Sequence, residues 1–386
     1  LPAGPSVSAA APPDGAGPVR DEDAFDVARV AAWLRENATD ARGLGGIPTV
    51  WQFGGGASNL TYLLRYAASA SFPSGRDLVL RRPPVGTTAK GAHDMRREHD
   101  LQAALVTAFP LVPRMVAYCQ DEAVLGTDVY VMERIEGVIL RRDIPPDLGL
   151  DAEATARLYV TAIDTLADLH AVDVDAAGLS ALGRGPGYVA RQVAGWSERY
   201  RRARTPDVPD AETVMAWLAG HQPPDRGTAL IHNDFRFDNL VLDPAEPTRV
   251  VGVLDWELAT VGDPLMDLGS ALAYWVQADD DPVMRRLRRQ PTHAPGMLTR
   301  AEVVEHYADR AGLEVSTEQW RFYEVFGLFR LAVIAQQIHF RFFHGQTTNP
   351  AFAEFGAAVA YLDHRSRSVL GLPEPGEDPE RTLNVG

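Results

Sequence analysis

Leu230 to Asp255 reads LIHNDFRFDNLVLDPAEPTRVVGVLD, and this stretch decides how the rest of the chain is interpreted. His232, Asp234, Arg236 and Asn239 stand at H-x-D-x-R-x-x-N spacing, and the apolar run Val250 to Leu254 delivers Asp255 with Trp256 and Glu257 behind it. One carboxylate can orient a hydroxyl, and the Asn amide oxygen after it can hold a divalent ion against a phosphate. A second carboxylate at a neighbouring strand end completes that ion's shell. Transfer of a phosphoryl group from a nucleotide to a hydroxyl is the chemistry that needs these groups together.

At 386 residues the chain is long for one core and suits two lobes sharing a cleft. A formal charge of -15 argues against non-specific nucleic-acid binding, which needs a positive surface, and favours a cationic small substrate. Cys119 is the single cysteine, so neither an intrachain disulfide nor a cysteine metal cage can form, and a reducing, cytoplasmic setting is expected. Residues 1–22 are rich in Ala, Pro and Gly without the basic start and apolar run of a secretory signal, so a disordered tail is expected there and again over 372–386. The most apolar helical stretch, Leu328 to Phe343, is interrupted by Arg330, Gln336, Gln337, His339 and Arg341, which excludes a membrane span and suits a core helix.

Outward from the opening stretch, the N-terminal part reads as a sheet lobe over 23–134. Val27, Val30, Ala31 and Leu34 share one helical face. Val50 to Leu64 reads strand, GGGASN loop, strand, and the run Gly54, Gly55, Gly56 lets backbone close over an anion, although a flexible hairpin tip has the same composition. The strand Leu78 to Arg82 puts Val79 and Arg81 on one face and Leu80 and Arg82 on the other. A helix over His93 to Val106 turns Met95, Leu101 and Leu105 inward and carries Glu98, a partner for Arg81 in a phosphate clamp. Strands follow at Leu111 to Tyr118 and Thr127 to Glu133. The second runs into a connector ending at Gly137, where Glu133 C=O and Ile135 N–H can meet a flat heterocycle with Met132 behind it.

Residues 135–371 read as a mostly helical catalytic and substrate lobe, with helices at Ala152 to Ala171, Tyr188 to Arg204, Ala211 to Gly220, Thr299 to Ala311, Glu318 to His344 and Pro350 to Leu370. His170 reads as a capping or core histidine, and Asp267 as a helix cap or a brace for the loop. Arg199, Arg201, Arg202 and Arg204 form either a solvated basic face or a seat for a phosphate-bearing substrate.

With these residues assembled, the chain resembles the aminoglycoside phosphotransferase and choline kinase family, from about Val27 to Leu370. FGGGASNLTYLLR, VYVMERIEGVILRRD, IHNDFRFDNLVLD and VLDWELATVGDPLMDLG carry the likeness. LVLRRPPVGTTAKGAHDMRREHDLQAAL and ERIEGVILRRD make it most similar to the branch associated with acyl-CoA dehydrogenases. The resemblance implies an α+β, two-lobed protein-kinase-like fold, with ATP and Mg2+ as cofactors. It implies Asp234 as the catalytic aspartate with Arg236 beside the transferred phosphate, and Asn239 and Asp255 on magnesium. Ser58 and Asn59 fall in the phosphate-covering loop, Arg81 at the nucleotide cation, and Glu98 as its partner. Two departures stand out: Arg81 replaces the family's lysine, and Asn233 replaces the glycine between His and Asp.

The function expected is ATP-dependent phosphorylation of a small-molecule hydroxyl, that of a hydroxyacyl-CoA or related compound, by a monomer or homodimer that binds neither nucleic acid nor membrane. The alternatives are an aminoglycoside or amino-alcohol phosphotransferase, an idle nucleotide-binding module of the same fold, and a metal-dependent hydrolase using His232, Asp234, Asp238 and Asp255. A protein kinase is disfavoured because GDPLMDLG follows Asp255 too closely for an activation loop.

Overall fold

The structure of the chain, a computed structural model, describes residues 12–13, 15–54, 59–84, 94–224 and 228–373. The chain divides into two compact units, Leu1–Ile135 and Glu136–Gly386.

The first unit is built on one antiparallel sheet. Strands β1 (Ala16–Gly17), β2 (Thr49–Phe53), β3 (Leu60–Tyr66), β4 (Arg76–Arg82), β5 (Met115–Cys119) and β6 (Val129–Glu133) lie in the order β1-β2-β3-β4-β6-β5. Alternation along β4 decides which residues meet which helix. Leu78 and Leu80 enter a cluster with Tyr62, Leu64, Val129 and Val131 that Val30 and Leu34 of helix α1 (Val27–Asn37) complete. Val79 turns the other way, to Tyr130, Met132 and Met95, the first residue of helix α2 (Met95–Leu105). Burying each such aliphatic side chain contributes about 1.5–3 kcal/mol. Asp26 and Asp94 cap the two helices by accepting from Arg29 N–H and Arg97 N–H.

Three details depart from the sequence reading. Within the stretch expected as a tail, Ala16–Gly17 pair with Phe53 and Gln52. The strand expected from Leu111 begins only at Met115, because Pro113 has no N–H to give the ladder. A short helix, α3 (Glu122–Leu125), lies between β5 and β6, opened by Asp121 and closed by Gly126 at φ 75°. Cys119 is a buried filler in the same cluster as Leu78.

The second unit is mainly helical: α4 (Ala152–His170), α5 (Tyr188–Ala203), α6 (Glu212–Gly220), α7 (Pro264–Leu272), α8 (Pro282–Leu287), α9 (Arg300–Ala311), α10 (Thr317–Phe343) and α11 (Phe355–Leu370). Two small antiparallel pairs sit among them, β7 (Ala229–Ile231) with β10 (Thr260–Gly262) and β8 (Leu240–Leu242) with β9 (Val250–Val253). Thr299 with Glu302 and Ser316 with Gln319 form capping boxes at the starts of α9 and α10. The final helix starts later than Pro350, which instead opens a separate turn, Pro350–Phe352.

Helices α7 and α10 cross at glycines. A Cβ on Gly327 would stand 2.1 Å from Gly269 O, and one on Gly269 would stand 2.5 Å from Tyr323 O, so only bare backbone allows this approach. The polar residues that interrupt α10 have partners: Gln336 donates to Ala203 O (2.7 Å), and His339 Nε2 lies 2.8 Å from Asp207. Among the described residues no helix is long and apolar enough to cross a membrane.

Candidate active site

The residues singled out from the sequence fall into two groups, one in each unit. In the first unit Arg81 on β4 and Glu98 on α2 are both buried, and Arg81 Nη1 lies 3.4 Å from Glu98 Oε2. The pair is part of a larger network. Tyr130 on β6 donates its hydroxyl to Glu98 Oε2 (2.7 Å), Asn59 Nδ2 donates to Glu98 Oε1 (3.2 Å), and Gln102 Nε2 donates to Glu98 O (3.1 Å). Burial holds the Tyr130 hydroxyl well above its ordinary pKa, so it stays a donor. Asn59 therefore spends its amide inside the unit, on the clamp. Gly55, Gly56 and Ser58 lie outside the described residues. Met132 is buried beside Val79 and Met95. Glu133 N–H donates to Arg114 O (2.9 Å) while its carboxylate pairs with Arg76, and Ile135 ends the unit.

In the second unit the loop after β7 carries His232 to Asn239, and two strand pairings fix its ends. Ile231 pairs with Thr260, so the start of the loop is tied to the segment just after Asp255. At the other end Leu240 pairs with Val253, and Leu254 N–H donates to Asn239 O (2.8 Å), which brings Asp255 to the Asn239 end of the hairpin. Asn239 Nδ2 donates to Asp234 O (2.8 Å) and Oδ2 (3.0 Å). The amide orientation is thereby set, and Oδ1 is the atom turned away from Asp234. Arg236 lies 2.9 Å from Asp234 Oδ1 and 3.2 Å from Asp238 Oδ2, with its guanidinium 4.9 Å from the Tyr274 ring centre. Burial alone would lower the pKa of Arg236, but the charges of Asp234 and Asp238 raise it. Asp238 itself is pushed up by burial, against the pull of Arg236.

His232 is fully buried and makes three contacts to the chain. Its N–H donates to Asp267 Oδ2 (2.6 Å), Nδ1 accepts from Asp234 N–H (3.2 Å), and Nε2 faces Leu254 O (2.9 Å). Those partners select the tautomer with the proton on Nε2 and leave neither ring nitrogen for a metal. The next residue explains the departure from glycine: Asn233 sits at φ 65°, a left-handed conformation that Asn tolerates better than other side chains. Its N–H donates to Asp267 Oδ1 (2.8 Å) and its Nδ2 to Leu258 O (3.0 Å).

Of the two roles open to Asp267 the structure selects the brace. Asp263 caps α7, accepting from Leu265 N–H and Met266 N–H, while Asp267 takes the backbone N–H groups of His232 and Asn233 and lies 3.1 Å from His170 Nε2. Burial pushes the Asp267 carboxyl up, but His170 and the His232 backbone outweigh it and hold the pKa below the ordinary value. His170 is a core histidine whose Nδ1 meets Tyr307 (2.6 Å). In the basic cluster Arg201 is paired with Glu212 and Arg202 with Glu198, whereas the Arg199 guanidinium lies 4.6 Å from the Trp196 ring centre.

Tyr130, Arg330 and Tyr274 escaped the sequence reading. A tyrosine in a strand and an arginine in an apolar helix carry no local mark of such contacts, and only the alternation of β6 could have set Tyr130 on the face of Glu98. The donor set fits a magnesium ion that takes most of its ligands from phosphates. Asn239 and Asp255 supply hard oxygens, and the described residues contain no group of three His, Cys, Asp or Glu able to hold an ion unaided. His232, one of the four ligands the hydrolase reading names, spends both ring nitrogens on the chain instead.

An antiparallel sheet unit and a helical unit that carries this loop define the class of kinase-like phosphotransferases. The chain belongs to the phosphotransferase enzyme family, whose pattern matches residues 49–303. Acyl-CoA dehydrogenase family member 10 of Mus musculus is 36% identical over 306 residues, which cover 79% of this chain and 28% of that protein. This bears out the expected likeness to the branch associated with acyl-CoA dehydrogenases. The chain spans less than half the length of the curated relatives it matches, 28%, 41% and 44% of three of them. A Ralstonia eutropha crystal structure named for the aminoglycoside phosphotransferases is 29% identical with a TM-score of 0.74, covering 90% of this chain and 99% of that one. Choline kinase of Cryptosporidium parvum, 10% identical, shares the fold at a TM-score of 0.59 over 90% of this chain and 96% of its own.

Proposed function

We propose that the protein transfers the γ-phosphoryl group of ATP to the hydroxyl of a small molecule, a hydroxyacyl-CoA or related hydroxylated acyl compound. The observation that carries this reading is the bond from Asn239 Nδ2 to Asp234. It fixes the carboxylate and turns the amide oxygen outward, next to the hairpin end that bears Asp255. Asp234 accepts a hydrogen bond from the acceptor hydroxyl and orients its lone pair along the line of transfer. The acceptor oxygen forms the new bond to the γ-phosphorus, and the bond from that phosphorus to the β–γ bridging oxygen breaks. ADP leaves with the electron pair, and the hydroxyl proton passes to Asp234 and then to water. Arg236, already seated against Asp234, offers its remaining N–H groups to the transferred phosphoryl oxygens. The Arg81–Glu98 pair is the candidate clamp for the nucleotide phosphates, held rigid by Tyr130 and Asn59. Asn239 and Asp255 would hold magnesium, which would supply charge neutralisation at the phosphates.

The acyl class of acceptor is supported by the match to acyl-CoA dehydrogenase family member 10. Screening hydroxyacyl-CoAs, choline and aminoglycosides for acceptor-dependent ADP release tests the reading. Asp234→Ala and Asp255→Ala should each fold normally, with unchanged circular dichroism, and lose turnover by about three orders of magnitude or more. Turnover intact in either variant rejects the assignment.

A further inference from the structure

Arg330 on α10 is 6% exposed, yet among the described residues it makes one hydrogen bond, Nη2 to Asn233 O (2.8 Å), and has no carboxylate within ion-pair distance. The other deeply buried arginines each face an acid or at least two acceptors. Arg76, Arg81 and Arg367 face Glu133, Glu98 and Asp363, and Arg82 donates to the Tyr62 hydroxyl and Asp23 O. A guanidinium has five N–H donors, and burying its charge without an acid is costly. Arg330 is thus a cation installed without its counter-charge, bonded to the residue that immediately precedes Asp234.

Its surroundings have the character of a binding wall. The Arg330 guanidinium lies 5.2 Å from the Trp196 ring centre, and exposed Arg199 lies 4.6 Å from the same ring. Half-buried Tyr188 touches the Asn233 side chain, and the hydroxyls of Tyr188 and Tyr274 both feel the charge of Arg330. The Tyr274 ring centre lies 4.9 Å from the Arg236 guanidinium, which is itself 2.9 Å from Asp234, so Tyr274 stands one residue away from the catalytic aspartate. Burial and the charges of Arg202 and Arg330 lower the pKa of Arg199. Two guanidiniums that disfavour each other beside one indole are both relieved by an anion.

We propose that Arg330, with Arg199 at the rim, binds an anionic oxygen of the acceptor, while Trp196, Tyr188 and Tyr274 pack against its carbon chain. This deepens the reading above and rests on Asp234 as the group that meets the hydroxyl. It assigns the acceptor to hydroxylated acyl compounds bearing a carboxylate or phosphate and turns away polycations such as aminoglycosides. The anionic oxygen is either the carboxylate of a free hydroxy acid or a phosphate of its CoA ester.

Three acceptors separate these sources: 3-hydroxyhexanoate, its CoA ester, and its pantetheine ester, which has neither anion. Wild-type protein should prefer whichever anionic form is recognised over the pantetheine ester. Arg330→Gln should raise KM for that form about tenfold or more and leave KM for the pantetheine ester within about twofold, with Arg330→Lys restoring part of the loss. Arg199→Ala, at an exposed position clear of the loop, should raise the same KM about threefold. Titration calorimetry of 3-hydroxyhexanoate and the CoA ester into wild type, Arg330→Gln and Arg199→Ala reads binding without turnover. If no acceptor is phosphorylated, the kinase reading falls, while calorimetry still decides the anion site. Equal losses on all three acceptors, or anion binding unchanged in both variants, would make Arg330 only a brace for Asn233 and overturn the proposal.

Discussion

Replacing Asp267 by Asn removes a charge and exchanges one acceptor oxygen for a donor, at a position where three donors converge. The carboxylate serves His232 N–H at 2.6 Å, Asn233 N–H at 2.8 Å and His170 Nε2 at 3.1 Å. An amide keeps one oxygen. If that oxygen stays on Asn233, the new NH2 faces His232 N–H, donor against donor, inside a site with no exposure. One orphaned buried N–H costs about 1–3 kcal/mol, and the loss of charge assistance in the remaining contacts adds about 1 kcal/mol, for a total of about 3 kcal/mol. That is about a hundredfold in the unfolding equilibrium. Urea titration followed by tryptophan fluorescence measures the loss, since Trp256 packs 5.0 Å from the His232 ring. The displaced loop should also cost turnover about a hundredfold at saturating acceptor, because Asp234 is carried on the same backbone.

The same residue sets a pH dependence. Its folded pKa lies below the ordinary 3.8, so its contribution is present above that value and is lost as pH falls through the lower, folded one. Wild type and Asp267→Asn should therefore differ in stability at neutral pH and converge below pH 3.8. A variant within about 0.5 kcal/mol of wild type at pH 7, with turnover retained, would refute the bracing argument.

Other outcomes follow from the same geometry. Glu98→Gln removes the carboxylate that Arg81 faces at 3.4 Å, and should destabilise the first unit by about 3 kcal/mol and raise KM for ATP more than it lowers kcat; denaturation curves and nucleotide titrations read the two effects. Gly327→Ala drives a methyl group against Gly269 O, and should lower the melting temperature through a loss of about 2–3 kcal/mol. Chelation of divalent ions should abolish ADP release, restored by magnesium, while leaving the melting temperature of the nucleotide-free protein unchanged.

The fold class and family were legible because the motif residues come in short runs of fixed spacing, and a helix boundary was legible where a cap announces it, as at Thr299. The alternation of β4 correctly separated Leu80 from Arg81. What escaped was contact between residues far apart in the chain. Tyr130 reaches Glu98 across 32 residues, and Asp267 reaches His232 across 35. The distinction between Asp263 as cap and Asp267 as brace rests on where the β7 end lies, which no local pattern encodes. Strands of three residues such as β7 and β10 are too short for periodicity to register, and α3 and α8 fall below the length at which an apolar stripe develops.

Asn233 has a consequence for how this loop can vary. A glycine would adopt the same left-handed dihedral without cost, but would cut the tie from Asn233 Nδ2 to Leu258 O and widen the repertoire of the unfolded chain. The asparagine therefore works as a rivet between two segments, the one before Asp234 and the one after Asp255. Chains that carry glycine at this place should show faster amide hydrogen exchange over the corresponding turn, and the present one trades that looseness for a preset distance between its two acids.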